Sequence, residues 1–543
     1  MGSSKLVCAV AFLLLAYGGA DAQVNRYMVF FKDKTGIPQT LSKPIEFLSE
    51  KAIQRRLDQN IEITDSDLPV KKEYVQGVRD TGADAFFTTR WLNAVLVQCD
   101  QSLLPAIESL SFVERVEFVA PEARLQSGGR RSFNLRNRNN HIGVETENQL
   151  QMIGIDKMHQ ADYKGEGVTI AILDSGFPGV DVAPAFQHIF SDGRFAENVS
   201  FDFVHNSADV FQYDDHGTQV LSVIAGEVPD AFTGGANEAT FQLFVTEDVP
   251  TEYRIEEYNW LFAAERADSA GADIIQSSLG YYDFDDASMN YTVGQMDGKT
   301  TVVTKAAQWA ADRGIVVVTS AGNEGSIPSW RIITAPADAV DVLAIGGVNN
   351  SREKTGSSSI GPSADGRIKP DLAALGLGVK VIKSNGQIST ASGTSLAAPL
   401  VTSLAAGVLQ RYPDLSGKEI ITLLRETASQ ASNPDNLLGY GIPNFQAVVN
   451  YREQTTQQHP FELYPNPLKE DDTLTISPVD PEVFASCQLE VVSSQGQVLA
   501  RHSVKFDWLN RTYKADLSRL AAGLYYIRVM SEKRKYTYKV VKL

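Results

Sequence analysis

Cysteine is scarce: the 543 residues hold three, at positions 8, 99 and 487. None lies between residues 149 and 450, so the largest region is held by packing and not by a disulfide framework. Histidine is also sparse, at seven, and no H-E-x-x-H occurs among them, which removes that metallopeptidase signature. A G-x-S-x-G elbow is missing too, and with it the usual nucleophile setting of esterases and lipases. Long apolar runs are lacking; the one from Leu6 to Ala16 is too short to span a bilayer. Positive charge is in deficit, 49 basic against 66 acidic residues for a net −17, which argues against non-specific binding to nucleic acid or anionic membrane.

What is present is concentrated in three short stretches. They are Ile172-Leu173-Asp174-Ser175-Gly176, then Asp215-His216-Gly217-Thr218, then Ser392-Gly393-Thr394-Ser395-Leu396-Ala397-Ala398-Pro399. A serine hydroxyl attacks a carbonyl only when a neighbouring base takes its proton. An imidazole titrates near neutrality, so His216 suits that role, and Asp174 would fix its tautomer and stabilise the imidazolium. A fourth stretch, Val317 to Gly325, offers the Asn323 side-chain amide to a tetrahedral oxyanion, with the backbone N–H of Ser395 as second donor. The pattern is that of a serine endopeptidase.

Local context agrees. Val168 to Leu173 is a β-branched and aliphatic run that predicts a buried parallel strand carrying Asp174 at its carboxyl end. Sites of open α/β sheets form at that edge. His216 opens a helical pattern through Val220, Val223 and Ile224, and Ser395 opens another through Leu400, Leu404 and Val408. Pro399 is expected in the first turn of the latter, where no intrahelical donor is lost.

On these motifs residues 150 to 450 resemble the subtilisin-like serine peptidases. The resemblance implies a parallel-sheet α/β domain, Asp174, His216 and Ser395 as the triad, and Asn323 as the oxyanion residue. It further implies that Ser278, Leu279 and Gly280 form a substrate-lining strand, that Ala321 and Gly322 wall the pocket for the residue before the scissile bond, and that Thr334 lies near its floor. Peptide-bond hydrolysis needs no cofactor. Relatives often carry structural calcium, but no ligand set here matches residue by residue, and no metal site is assigned. Tyr281 to Thr301, with Asp283, Asp285, Asp286 and Asp297, lengthens the rim and reads as solvated loop. A catalytically silent surface protein could keep the same fold, although no triad or oxyanion residue is missing.

The flanks complete an exported zymogen. Lys5, the apolar middle and Ala20-Asp21-Ala22 form a signal peptide over residues 1–22. Residues 23–125 alternate strand (27–31), helix (45–57), strand (91–98), helix (103–110) and strand (113–119), which suits a small α+β ferredoxin-like fold. That region resembles inhibitory propeptides, although the pattern alone also fits an unrelated accessory domain. Residues 126–148 are a Gly- and Arg-rich linker, with processing expected between Leu125 and Asn148 and Arg130-Arg131 as one candidate site. The catalytic domain is placed at 149–450 and a polar linker at 451–460. Short alternating segments over 461–543 predict a β-sandwich. Its Tyr464-Pro465-Asn466-Pro467 and Gly523-Leu524-Tyr525-Tyr526 resemble the carboxyl-terminal sorting domains of type IX secretion; a carbohydrate- or cell-wall-binding module is the lesser competing reading. The expected partners are protein substrates, the chain's own propeptide and the secretion machinery, in an extracellular or cell-surface setting.

Overall fold

The computed structural model describes residues 24–121, 146–458, 460–468, 472–479, 486–506, 512–530 and 535–543. The expected signal peptide and the Arg130-Arg131 site lie outside them. Two compact units divide at Phe445 and Gln446.

The first unit opens with β1 (Val24–Phe31), α1 (Glu50–Asp58), α2 (Lys72–Arg79), β2 (Asp84–Thr89), β3 (Ala94–Asp100) and β4 (Val113–Ala120). The sheet is antiparallel with order β2-β3-β1-β4, the ferredoxin-like arrangement. The expected helix over 45–57 is a short 3-10 turn followed by α1, because Ser49 caps a fresh start by accepting from Ala52 N at 3.2 Å. The expected strand over 91–98 begins only at Ala94, since Asn93 takes a left-handed turn conformation (φ 51°). Both faces of this sheet are covered. Tyr27, Val29, Val95 and Val97 pack on its own helices, while Met28, Phe30 and Leu96 join the core of the following domain.

That domain is built on β5 (Thr169–Asp174), β6 (Phe201–Asp202), α3 (His216–Ala225), β7 (Thr240–Val245), α4 (Ile255–Ala270), β8 (Ile274–Ser277), α5 (Val302–Asp312), β9 (Val316–Ser320), β10 (Val342–Val348), β11 (Leu372–Leu375) and α6 (Thr394–Arg411). The seven strands run parallel in the order β11-β10-β9-β8-β5-β7-β6. β5, β8 and β9 are wholly buried, as continuous apolar runs of a covered parallel sheet require. The centre of this sheet positions the site.

Helix α4 is buried almost all round, because the sheet lies on one side and the amino-terminal domain on the other. Charged residues at the second contact are answered across it. Asp268, fully buried, takes Arg55 at 2.5 Å, Arg56 at 2.9 Å and Arg90 at 2.6 Å. Glu265 accepts the backbone N–H of Arg90 and Trp91 at 2.9 and 3.1 Å. Arg313 of the central domain returns to Asp67 at 3.0 Å.

The second unit contains a three-stranded and a four-stranded antiparallel sheet. Leu474, Ile476, Leu489, Val491, Ile527, Val529 and Val540 form its core, giving the expected β-sandwich. Strands Phe461–Tyr464 and Tyr513–Asp516 were not legible in the alternation, being only four residues each. Among the described residues no helix is long and apolar enough to cross a membrane, and Cys99 and Cys487 are buried and in no disulfide.

Candidate active site

Asp174 ends β5 with its side chain fully buried, and His216 begins α3; the two meet at 2.7 Å, Nδ1 to Oδ1. The same carboxylate oxygen accepts from Ser175 N at 2.8 Å, which fixes its orientation. Asp214 receives the His216 backbone N–H at 3.0 Å and so sets the start of the helix. Burial disfavours a charged ring, but Asp174, then Asp214 and Asp215, outweigh it and raise His216 from 6.5 to about 9. The ring keeps 35 % of its side-chain surface exposed, so it faces both its buried anion and the solvent.

Ser395 is the second residue of α6. Its hydroxyl donates to the Ser278 carbonyl at 3.3 Å and not to His216. The expectation that Pro399 falls in the first turn needs correction: α6 begins at Thr394, so Pro399 is its sixth residue. A proline there cannot donate to the carbonyl four residues back, which is that of Ser395. Ser278 Oγ fills the gap, donating to that carbonyl at 2.6 Å. Ser278 is held in turn by Gln276 Nε2 at 2.8 Å, and Gln276 accepts from Thr402 one turn further along α6. A buried polar chain therefore ties the Ser278 segment to the helix that carries Ser395, at the place where the proline opened it.

Asn323 is exposed, with its amide oxygen engaged by Thr394 N at 3.0 Å and Thr394 Oγ1 at 3.1 Å. Engaging the oxygen leaves the NH₂ end as the donor available to a ligand. Ser278, Leu279 and Gly280 continue from β8, and Ala321 and Gly322 from β9, its parallel neighbour. Thr334 stands between them. Its hydroxyl oxygen would lie 2.5 Å from a Cβ on Gly280 and 2.9 Å from one on Gly322, so neither position accommodates a side chain. That hydroxyl is buried with no hydrogen-bond partner. The loop acids act as turn acceptors: Asp286 for Ser288 N, Asp297 for Lys299 N and Thr300 N, Asp283 for Asn290 Nδ2, and Asp285 for Glu252 N. Among the described residues no group of three or more His, Cys, Asp or Glu side chains is placed to hold a metal ion.

Carboxylates on and before α4 were missed by the sequence reading. Glu247, Glu252, Glu256 and Glu257 gather beside the site, with Glu247 accepting from Tyr281 Oη at 2.6 Å and Glu257 from Tyr291 Oη at 2.8 Å. Nothing local marks them, since charged positions on a helix ordinarily face water.

Comparison with known proteins follows the same division. The subtilase family matches residues 165–441, the peptidase S8 propeptide domain of Bacteroidota residues 26–134, and the secretion system C-terminal sorting domain residues 462–543. Subtilisin NAT of Bacillus subtilis subsp. natto is 28% identical over 302 residues, covering 55% of this chain and 70% of that protein. The subtilisin-like protease SBT6.1 of Arabidopsis thaliana is 25% identical over 348 residues, 61% of this chain but only 30% of its own length. Among solved structures, the epidermin leader peptide processing serine protease of Staphylococcus aureus aligns with a TM-score of 0.54 at 14% identity, over 79% of this chain and all of that one. With a parallel sheet that carries an Asp–His pair at its carboxyl edge, and with the family match covering residues 165–441, the chain belongs to the subtilase family.

Proposed function

We propose that this chain is an exported serine endopeptidase zymogen that cleaves peptide bonds of protein substrates through an acyl-enzyme on Ser395. The observation that carries the reading is the 2.7 Å contact between His216 and the buried Asp174, one strand away from the segment that holds Ser395. For attack, the Ser395 hydroxyl leaves the Ser278 carbonyl and gives its proton to His216 Nε2 as Oγ bonds the substrate carbonyl carbon. The oxyanion accepts from Asn323 Nδ2 and Ser395 N. Asp174 stabilises the imidazolium, which then protonates the leaving amine; water repeats the sequence to release the acid. None of these steps calls for a metal, and any calcium bound would be structural.

Residues 1–22 act as a signal peptide, and the amino-terminal domain is removed by cleavage between Leu125 and Asn148. The terminal sorting domain supports an extracellular or cell-surface destination. Ser395→Ala in the full chain tests the reading: hydrolysis of denatured protein is lost and, where processing is autocatalytic, the propeptide stays attached. Normal cleavage by that variant would refute the mechanism.

A further inference from the structure

Arg26 of β1 is 3% exposed, and its Nε has no hydrogen-bond partner. The charges that act on it are Asp248 and Glu256. Glu256 is 1% exposed, accepts from Asp248 N at 2.7 Å through one oxygen, and leaves the other buried without a donor. Burial, compounded by their mutual repulsion, raises Glu247, Glu252 and Glu256 above the ordinary carboxylate range. A buried guanidinium thus lies in the field of a carboxylate cluster, of which Glu256 is buried and Glu247, Asp248 and Glu252 are half-buried, without completing its hydrogen bonds.

The cluster adjoins the reaction centre. Thr246 N bonds the Asp174 carbonyl at 3.0 Å, and the next residue is Glu247. Glu247 binds Tyr281, which directly follows the lining residue Gly280. The cluster is therefore bracketed by the triad aspartate and the end of the substrate-lining segment. Arg26 also pairs with Ala120 at the end of β4, from which the chain runs towards its processing region. β4 so delivers residues on the amino side of the bond to be cut. The sequence from 123 to 144 carries Arg124, Arg130, Arg131, Arg136 and Arg138 and no acid.

We propose that Glu247, Asp248, Glu252 and Glu256 form a recognition site for an arginine or lysine side chain upstream of the scissile bond, and that Arg26 occupies this site until the prodomain leaves. The inference rests on the peptidase reading and names its substrate class. Departure of Arg26 with its strand would admit water to the carboxylates, relieving the burial that opposes their ionisation, and open them to a cation able to complete the hydrogen bonds that Arg26 does not.

The test uses mature protease processed from the full chain and a fluorogenic peptide library in which each of four positions before the cleaved bond is Arg, Lys, norleucine or Glu. At one position, Arg or Lys is expected to exceed norleucine by about tenfold or more in kcat/KM, the effect of one hydrogen-bonded charge. Glu256→Gln and Glu247→Gln should each pull that ratio towards one. Cleavage with no basic preference at any position overturns this inference and leaves the peptidase reading intact. So does a preference that both variants retain. Calcium binding by calorimetry that Glu247→Gln abolishes, without a basic preference, would reassign the cluster to a cation and also overturn it. Absence of both cleavage and phosphonate labelling at Ser395 sinks the two readings together. Should a variant fail to fold, the scan of the unmutated enzyme still decides.

Discussion

Asp174 and Asp268 are both fully buried carboxylates, one in the candidate active site and the other in the seam beneath the amino-terminal domain. Asp174 is answered by one imidazole, whose charge comes and goes with a proton. Asp268 is answered by Arg55, Arg56 and Arg90, whose charges are permanent. Burial opposes ionisation of Asp268, but the three guanidinium groups outweigh it and lower its pKa. The same residue type in the same low-dielectric setting thus serves proton transfer in one place and clamping in the other, according to whether its partner titrates.

The comparison can be broken at either end. Asp174→Asn removes the anion that the imidazolium needs and is expected to lower kcat by about 10⁴-fold in initial-rate assays; a loss below tenfold would show that His216 works without it. Asp268→Asn leaves three arginines facing a neutral group. It should weaken the hold on the prodomain by about 3–5 kcal/mol, read as a lower melting temperature of the uncleaved Ser395→Ala chain or as weaker inhibition by added prodomain. An unchanged melting temperature and inhibition constant would mean that the seam is held by its apolar face alone. Asn323→Ala should cost about 10²–10³ in kcat with KM little altered; a change confined to KM would move Asn323 from the oxyanion to ground-state binding.

The smallest effect is on pH, and it differs in sign between the two sites. His216, raised to about 9, contributes its charge-pair stability fully below about 6.5 and loses it as pH rises through 9. Its catalytic base form appears over that same rise, so the acid limb of kcat/KM should lie above the pH of 6–7 expected of a free imidazole. A limb at or below 6.5 would show that Asp174, Asp214 and Asp215 together do not outweigh the burial of the ring. Asp268, with a lowered pKa, contributes stability above the carboxylate range and loses it only as pH falls through that depressed value, so the seam should outlast mild acidification.

The positions of the three residues proposed as a triad were legible because each sits at the end or start of a strongly patterned element: Asp174 at the end of an all-apolar strand, His216 and Ser395 at the head of apolar helices. The two glycines and Thr334 of the pocket came from resemblance, and the structure brings them together for a steric reason the sequence cannot state. Pro399 was misplaced because, even in a helix opening at Ser395, it is the fifth residue and lies past the first turn; the group that satisfies the carbonyl it frees, Ser278, lies far away in the chain. Glu256, Glu265 and Asp268 were illegible for a different reason. Hydrophobic periodicity treats a charged position as solvent-facing, and these are buried only because another domain of the same chain covers α4 with arginines.

The most direct measurement is labelling of the mature protein with a serine-directed phosphonate, followed by peptide mapping. The account predicts one adduct, on Ser395, lost in Asp174→Asn and His216→Ala. An adduct elsewhere, or labelling of Ser395 that is indifferent to both substitutions, would contradict it.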